Sequence, residues 1–283
     1  MSPYQISSLA RPLDPKNYKT NLAVIIIILL TLIAYSFFHD QDGINLGSRL
    51  LVALTVAFNL FISWAFAREI DPDEPLAGFL GMALTLAAYL FNFHEVTYFL
   101  WLILLLLLFR ISNRSTGLPA KWIDTLLIVI LSGYLCFSID WVVGLIAGLA
   151  FWIDFKSAEP LIRHGWASIV VFVIAMVSLI LDPIPTGFTS ENIWLVIGSV
   201  VLFVPYIITS LPVITFADAT GEKLNNKRVQ LTQILALFTV IMFVFWQGIT
   251  GFLILMPLWA TMLAVCIFRI IRMVQNLLTN RGS

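Results

Sequence analysis

Carboxylates and basic side chains gather at a few points along this apolar chain. The stretch "AREIDPDEPL", residues 67–76, holds five charged residues, and "DATGEKLNNKR", residues 218–228, holds five more. Carboxylates hold Mg²⁺, and Mg²⁺ together with basic groups holds diphosphate, so such residues would suit an enzyme that acts on a prenyl or lipid diphosphate. The carboxylates that are candidates for this chemistry are Glu69, Asp154, Asp218 and Glu222.

A second set of candidate residues is uncharged. Three polar residues recur every four positions near residues 55–63, which aligns them on one helix face, and three more lie between Pro205 and Pro212 in "VPYIITSLP". Broken helices of this kind line substrate sites in many transporters. Helix-helix hydrogen bonds and an ordinary proline kink are the alternative interpretations. The candidate cavity residues are Thr55, Asn59, Ser63, Tyr206, Thr209 and Ser210.

The composition predicts that most of the chain lies in a membrane. Of the 283 residues, 60% are hydrophobic and 11% are charged, with 16 basic and 16 acidic side chains. The mean hydropathy is +0.97, whereas soluble domains carry charge on about a quarter of their residues. The zero net charge gives no indication of a nucleic-acid partner. The lipid bilayer is therefore the first expected partner.

Apolar runs long enough to cross a bilayer recur along the whole sequence. About 20 residues at about 1.5 Å each span a hydrocarbon core of about 30 Å. We therefore predict an all-α transmembrane bundle of about ten spans with short loops. It forms one integral membrane domain over residues 1–283, with 1–20 as a cytosolic N-terminal segment. The runs are centred near Ile27, Val56, Leu84, Leu104, Ile128, Ile146, Phe172, Leu202, Leu237 and Met262.

Lysine and arginine residues fall on alternate connections between these runs. Because cytoplasmic loops retain positive charge during insertion, both termini are predicted to be cytoplasmic, in the plasma (inner) membrane. Cys136 and Cys266 then lie near opposite membrane surfaces, which argues against a disulfide. Only Arg49 falls outside. The basic residues predicted inside are Arg68, Arg110, Arg114, Lys121, Lys156, Arg163, Lys223, Lys227, Arg228, Arg269, Arg272 and Arg281.

Some of the carboxylates have a structural explanation and others need a partner. Near a helix N-terminus the helix dipole stabilises a carboxylate, and near the C-terminus it does the opposite. Glu69 and Asp154 lie toward C-terminal ends, so we expect Arg68 to offset Glu69. Asp154 is expected to pair with Lys156 or with a basic residue of another helix. The carboxylates predicted to cap the first turn of a helix are Asp73, Glu74 and Asp124.

One internal similarity suggests a duplication. "AFAREIDPDEPL", residues 65–76, and "AFWIDFKSAEPL", residues 150–161, share Ala, Phe, Glu, Pro and Leu. About four spans separate them, so a repeat would be parallel. The alternative is that membrane borders share a composition. A further prediction is a metal site in the outside loops, formed by His39, Asp40, Asp42, His94 and Glu95, against which stands simple solvation of these residues.

The stretch "DATGEKLNNKR" resembles the second aspartate motif of intramembrane prenyltransferases. Asp218, Gly221 and Glu222 occupy D-x-x-G-D-like positions, and the resemblance covers eleven residues. It implies a Mg²⁺-dependent enzyme acting on a prenyl diphosphate at the cytosolic border. The first motif of that family, which is N-D-x-x-D-like, is not reproduced. About six spans separate Asp71 from Asp218, where the family has about four.

Three functions follow from these observations. About ten short-looped spans with both ends inside look like the drug/metabolite transporter class, a fold-level analogy. A transporter or handler of a small or lipid-like solute, without a cofactor, is the first expectation, and it predicts one polar cavity reached by Asn59 and Tyr206. The Mg²⁺-dependent enzyme predicts that Asp218 meets Glu69 or Asp154. The third is a non-catalytic membrane scaffold or assembly subunit. Neither the substrate nor the oligomeric state follows from the sequence.

Overall fold

Ten helices, one for each apolar run, make up most of the chain that the structure describes. This computed structural model describes residues 4, 7–11, 19–38, 45–93, 95, 97–181, 187, 189, 192–209 and 212–279. Every predicted centre lies inside its own helix, which confirms the all-α class. The helices are α1 Lys19–Phe38, α2 Leu46–Ile70, α3 Pro75–Leu90, α4 Phe99–Asn113, α5 Trp122–Ser138, α6 Val142–Lys156, α7 Ile162–Leu181, α8 Ile193–Ile208, α9 Asn226–Ile254 and α10 Met256–Thr279.

The lengths of the helices bear on which of them cross a membrane. By length and composition, five described helices qualify, namely α1, α2, α7, α9 and α10. The remaining helices have 15 to 17 residues, or about 22–26 Å at about 1.5 Å per residue, which is less than a hydrocarbon core of about 30 Å. The apolar helices therefore fit a membrane protein, and crossing by all ten stays a prediction.

Helix α4 lies at the centre of the bundle. It packs against α2, α5, α6 and α9, and its side chains at Trp101, Leu104 and Leu108 are fully buried. The Trp101 ring stacks on Phe243 of α9 at 5.2 Å between centroids. A helix surrounded by other helices need not match the bilayer thickness, which is why α4 can be short. Helices α2 and α9 contact α4 and each other, and these three helices form the core of the bundle.

The outer helices pack on this core in two groups. Helices α1, α3 and α10 pack on α2, and α8 packs on α9 and α10. On the other side, α6 and α7 pack together and both contact α5. The α6-α7 approach depends on glycine, because a Cβ at Gly148 would lie 2.5 Å from the Phe172 ring. Ser168 of α7 donates a hydrogen bond to the Gly148 carbonyl at 2.8 Å.

The last two helices differ from the expected pattern. The sequence predicts a loop at residues 247–250 between the last two spans, but the structure has a kink inside α9 at Gly248 there, with φ 62° and ψ −137°. This backbone conformation favours glycine. Helix α9 then continues to Ile254, and only Leu255 separates it from α10.

Helix α8 also differs from the expected broken helix. Pro205 lies in its last turn and Pro212 lies beyond its end, so α8 ends early and does not break midway.

Candidate functional site

Most of the described charged side chains lie at one end of the bundle, which we call the charged end. It is formed by the last turns of α2, α4, α6 and α8, the second half of α10, and the first turn of α9. Residues 7–11 and 212–225 complete it. Side chains from distant parts of the sequence therefore meet at one surface. The sequence similarity between 65–76 and 150–161 also falls here, and a repeat stays a prediction.

Residues 212–225 form a short hairpin that closes over the charged end. Phe216 and Lys223 make an isolated antiparallel bridge. The backbone N–H of Asp218 donates to the Ser115 carbonyl at 3.2 Å, which attaches this 212–225 hairpin to the connection after α4. In that connection Gly117 has φ +79°, and a Cβ there would collide with the hairpin. Glycine is therefore required where the two connections touch.

Asp73 anchors the hairpin from the other side. Its carboxylate accepts hydrogen bonds from the backbone N–H groups of Ile214 at 3.0 Å and Thr215 at 2.8 Å, and from the Thr215 hydroxyl at 2.6 Å. Glu74, the N-cap residue of α3, makes no side-chain cap bond and pairs with Arg272 instead. The predicted capping bonds are therefore not made by Asp73 and Glu74, because their carboxylates are engaged by the hairpin and by Arg272.

Residues 7–11, which we call the N-terminal segment, are attached to the charged end at two points, Ser8 and Arg11. Asp124 accepts from the Ser8 backbone at 3.1 Å and from the Ser8 hydroxyl at 2.8 Å. Asp124 also accepts from the Lys121 backbone at 3.0 Å in a capping box. The prediction that Asp124 serves the first turn of α5 is confirmed. The second attachment is made by Arg11.

Arg11 joins two carboxylates of different elements. Its guanidinium donates to Glu69 at 2.9 Å and to Asp218 at 2.5 and 3.0 Å. Arg110 also donates to Glu69, at 3.2 Å, whereas Arg68 lies 3.7 Å from Asp218. Arg68 is close enough for its charge to interact with Glu69, but the cations in contact with Glu69 are Arg11 and Arg110. Burial lowers the pKa of Arg11, but Glu69 and Asp218 outweigh burial and raise the pKa above its ordinary value, so Arg11 stays charged.

Glu69 and Asp218 are therefore joined through the Arg11 guanidinium, whereas the enzyme hypothesis expects the two carboxylates to share one metal ion. A cavity of about 560 Å³ borders this cluster and is lined in part by Arg68, Asp71 and Asp218. Among the residues that the structure describes, no group of three or more Cys, His, Asp or Glu side chains is arranged to hold a metal ion. Glu222 is exposed on the hairpin and makes no side-chain contact with these carboxylates.

Asp154 forms a separate buried cluster near the end of α6. Its side chain is 1% exposed. It accepts from Arg114 at 2.9 Å, from Arg228 at 2.8 Å and lies 2.8 Å from Nδ1 of His164. A basic partner on another helix was predicted, and Arg228 of α9 confirms it. The alternative partner, Lys156, instead lies over the Trp152 ring, 4.9 Å from the centroid.

Asp154, His164 and Thr125 form a hydrogen-bonded line inside the bundle. Nε2 of His164 is 3.0 Å from the Thr125 hydroxyl, which gives the order hydroxyl, imidazole, carboxylate that hydrolases use to activate a nucleophile. All three side chains are buried, and the Thr125 hydroxyl also donates to the Lys121 carbonyl at 3.1 Å. A buried hydroxyl whose proton is engaged in the helix is a structural link, and we assign it no catalytic role.

A third cluster surrounds Asp71, just beyond the end of α2. The Tyr206 hydroxyl donates to Asp71 at 2.7 Å, and the Arg269 guanidinium lies 5.2 Å from the centroid of the Tyr206 ring. Burial raises the pKa of Asp71 above its ordinary value, although the Tyr206 hydrogen bond and the charge of Arg269 act in the opposite direction. This Asp71 cluster joins the ends of α2, α8 and α10.

The raised pKa of Asp71 predicts a pH-dependent stability. The folded protein keeps the Asp71 proton at pH values where the unfolded chain has lost it. The free energy of unfolding should therefore fall as pH rises from the ordinary value of 3.8 through the raised pKa, and Asp71→Asn should remove this fall. Melting temperatures of both proteins between about pH 4 and pH 8 measure it. Curves that run parallel over the whole range would contradict the prediction.

The uncharged candidate residues are not brought together. Asn59 donates to the Tyr89 hydroxyl at 2.9 Å and to the Thr97 hydroxyl at 3.0 Å. Tyr206 instead contacts Asp71, which follows Asn59 by twelve residues, or about 18 Å along a helix. Asn59 and Tyr206 therefore have different surroundings.

The remaining polar candidates have partners of their own. The Ser63 hydroxyl lies 3.1 Å from that of Thr261 on α10. Thr55 and Thr209 each donate to a carbonyl four residues earlier in the same helix. Ser210 lies outside the described residues, as do His39, Asp40, Asp42 and His94 of the predicted outside metal site. These bonds are the helix-helix and intrahelical contacts that the alternative interpretation expects.

An apolar groove, the α8-α10 groove, runs between α3, α8, α9 and α10. It has a volume of about 500 Å³, within the range of about 300–1,000 Å³ that small-molecule sites occupy. The two polar side chains in its wall turn to backbone carbonyls, since Ser199 donates to Leu195 and Cys266 donates to Leu202. Other wall residues are Leu84, Ala88, Phe93, Trp194, Gly198, Leu202, Phe203, Phe252, Met256, Trp259, Met262 and Leu263.

The groove ends close to the Asp71 cluster. Phe203 of α8 and Cys266 of α10 are in its wall, and three residues further along the same helices come Tyr206 and Arg269. Three residues advance an α-helix by about 4.5 Å on nearly the same face. The Phe203 and Tyr206 rings stack at 5.0 Å between centroids. An apolar groove thus leads toward a cluster of a phenol, a carboxylate and a guanidinium.

Comparison with known proteins gives no further guide. No family model, curated protein or solved structure matches this chain.

Sequence reasoning did not single out several residues of the charged end. The sequence assigns Arg11, His164 and Arg269 to no site, and it places Asp71 only among the carboxylates of the cytosolic border. The sequence does show that the predicted inside connections carry both basic residues and carboxylates that must leave water. That signal shows that pairing is needed, but it does not identify the pairs, because the partners belong to distant segments.

Proposed function

We propose that this protein is a lipid-handling membrane protein that binds one chain of a membrane lipid in the α8-α10 groove. The single observation that supports this most is the groove itself. It has a volume of about 500 Å³, its walls are apolar, and a polar cluster lies at one end. A lipid has the same division between an apolar chain and a polar head group. The head group would lie near Arg269, whose guanidinium is a donor for phosphate, because the Tyr206 hydroxyl already donates to Asp71.

The groove opens toward the surface that would face lipid. Trp194 and Phe93, at its far end, are both well exposed. Large exposed apolar surfaces are expected on a protein surrounded by acyl chains. A lipid could therefore enter sideways, without crossing the polar charged end.

The proposal puts the charged end at the cytoplasmic face of the plasma membrane, with both termini inside. The distribution of lysine and arginine supports this orientation, because cytoplasmic connections retain positive charge. Arg11 of the N-terminal segment, Arg110 and Arg114 at the end of α4, and Arg228 in the first turn of α9 come from three separate parts of the chain and share the charged end.

Filling the groove tests the proposal. A Cβ at Gly198 has no neighbour within 4 Å, so Gly198→Phe adds a ring to the groove without a backbone collision. We expect crosslinking of a photoactivatable phospholipid to the groove, measured by mass spectrometry in nanodiscs, to fall about tenfold, as for a loss of about 1.4 kcal/mol. Val201→Phe is the control, because Val201 lies on the same helix, is 63% exposed and is not in the groove wall. Equal crosslinking in the two variants would overturn the proposal.

A second candidate function is the Mg²⁺-dependent enzyme acting on a prenyl or lipid diphosphate. The observation that favours it is the meeting of Glu69 and Asp218 beside a cavity of about 560 Å³. Arg11 would have to leave for Mg²⁺ to bind both carboxylates. A rise in melting temperature with Mg²⁺ plus a prenyl diphosphate, absent in Asp218→Asn, would favour the enzyme. A non-catalytic scaffold would show neither lipid crosslinking that depends on the groove nor a rise in melting temperature with Mg²⁺ and a prenyl diphosphate.

A further inference from the structure

A second large cavity lies at the charged end, away from the α8-α10 groove. It has a volume of about 640 Å³ and lies between the end of α6 and the start of α9. We call it the lysine cleft, because Lys156, Lys223 and Lys227 line it together with Arg228. Neither the α8-α10 groove nor the cavity beside Arg11 shares any of these four residues.

The charge of the lysine cleft is not balanced by its own walls. The lysines are exposed, and none makes an ion pair with a carboxylate among the described residues. The carboxylates nearest in the sequence are Glu159 and Glu222, which line an adjoining cavity of about 160 Å³ instead. Glu159 is already 3.3 Å from Arg114.

Three features position the lysines along the wall of the cleft. Lys156 lies over the rings of Trp152 and Phe155, at 4.9 and 5.0 Å. Lys223 is held by the hairpin bridge to Phe216, and Lys227 follows the N-cap of α9 by two residues. Lysines from the end of α6, the hairpin and α9 therefore line one cavity, and the positive end of the α9 dipole adds to their potential.

We propose that the lysine cleft binds a phosphate or diphosphate group. Three ammonium groups match the charge of a phosphate monoester or diphosphate, and lysine is a common phosphate ligand that acts as a point charge. A volume of about 640 Å³ exceeds a bare phosphate, so the group belongs to a larger molecule. The apolar side chains of Leu224 and Leu231 in the wall provide a place for the rest of that molecule.

The test uses the purified full chain in detergent with inorganic diphosphate as the probe, in a calorimetric titration. We expect the double variant Lys223→Gln with Lys227→Gln to bind at least about tenfold more weakly. Glu222→Gln should bind more tightly, because it removes a nearby negative charge. Arg49→Gln, at the opposite end of the bundle, should bind like the parent. The affected lysines are exposed, so the melting temperature without ligand should not change.

A second part of the experiment distinguishes two sources of the phosphate group, a lipid head group and a soluble compound. The same titration is made in nanodiscs of phosphatidylcholine alone and of phosphatidylcholine with phosphatidylglycerol. Weaker diphosphate binding with phosphatidylglycerol indicates that a lipid head group occupies the cleft, and unchanged binding indicates a soluble phosphate compound. Both results support the site. Equal affinity in the double variant and the parent, or an equal loss in Arg49→Gln, would overturn it.

The lysine cleft does not depend on the proposed lipid-handling function. Gly198→Phe should leave diphosphate binding unchanged, since Gly198 is in the wall of the α8-α10 groove and not in the cleft. Failure of one proposal would therefore leave the other intact.

Discussion

Replacing Asp154 with alanine is expected to lower the free energy of unfolding by about 3–5 kcal/mol, the cost of removing one partner from a buried ion pair. The Asp154 side chain is 1% exposed and accepts hydrogen bonds from Arg114 and Arg228. Without it, two guanidinium groups remain near each other with no carboxylate between them, and Nδ1 of His164 loses its partner. Denaturation by heat and by chemical denaturant in detergent measures the loss.

Two further variants separate the buried charge from a general effect. Asp154→Asn keeps one acceptor oxygen, so it should lose less than the alanine variant. Glu159 also contacts Arg114, at 3.3 Å, but its side chain is 88% exposed, and exposed pairs contribute about 0–1 kcal/mol. Glu159→Gln should therefore be close to the parent in stability. A loss in Glu159→Gln as large as in Asp154→Ala would contradict the assignment of Asp154 as the centre of the cluster.

Replacing Arg11 with alanine is expected to have the next largest effect, about 3 kcal/mol. Arg11 is the link between the N-terminal segment, Glu69 of α2 and Asp218 of the hairpin. Its loss leaves Glu69, which is fully buried, with Arg110 as its cation. We expect amide hydrogen exchange to increase in residues 7–11 and 212–225 together, because both are held through the same guanidinium.

Arg49→Ala is the matched control for Arg11→Ala. Arg49 lies in the first turn of α2, at the other end of the helix from Glu69. Its replacement should leave hydrogen exchange at residues 212–225 as in the parent. Faster exchange only in residues 7–11 of the Arg11 variant would contradict the idea that Arg11 also holds the hairpin.

Hydropathy predicts the positions of the helices because a run of apolar residues in lipid must satisfy its own backbone hydrogen bonds. Helix lengths are less predictable, since α4 is surrounded by protein and stops at 15 residues. Energetics also predicts that Asp154 needs a cation. The identity of that cation does not follow, because Arg228 is 74 residues away along the chain.

The predictions about individual pairs were least accurate where they assumed that neighbours in sequence are partners. Arg68 and Glu69 are adjacent on a helix, and adjacent residues point in different directions, whereas residues three or four apart share a face. Thr55, Asn59 and Ser63 do follow that spacing, yet Asn59 meets Tyr89 and Ser63 meets Thr261. A shared helix face does not imply a shared cavity when different helices pack along it.

The position of Arg228 also has a consequence for the order in which the protein is made. The ribosome synthesises Arg114 before Asp154 and His164 soon after it, but Arg228 only after α7, α8 and the hairpin. Contacts between such distant segments slow folding because a long loop must close first. A nascent chain that ends before α9 therefore carries an incomplete Asp154 cluster, and docking of the first turn of α9 completes that cluster.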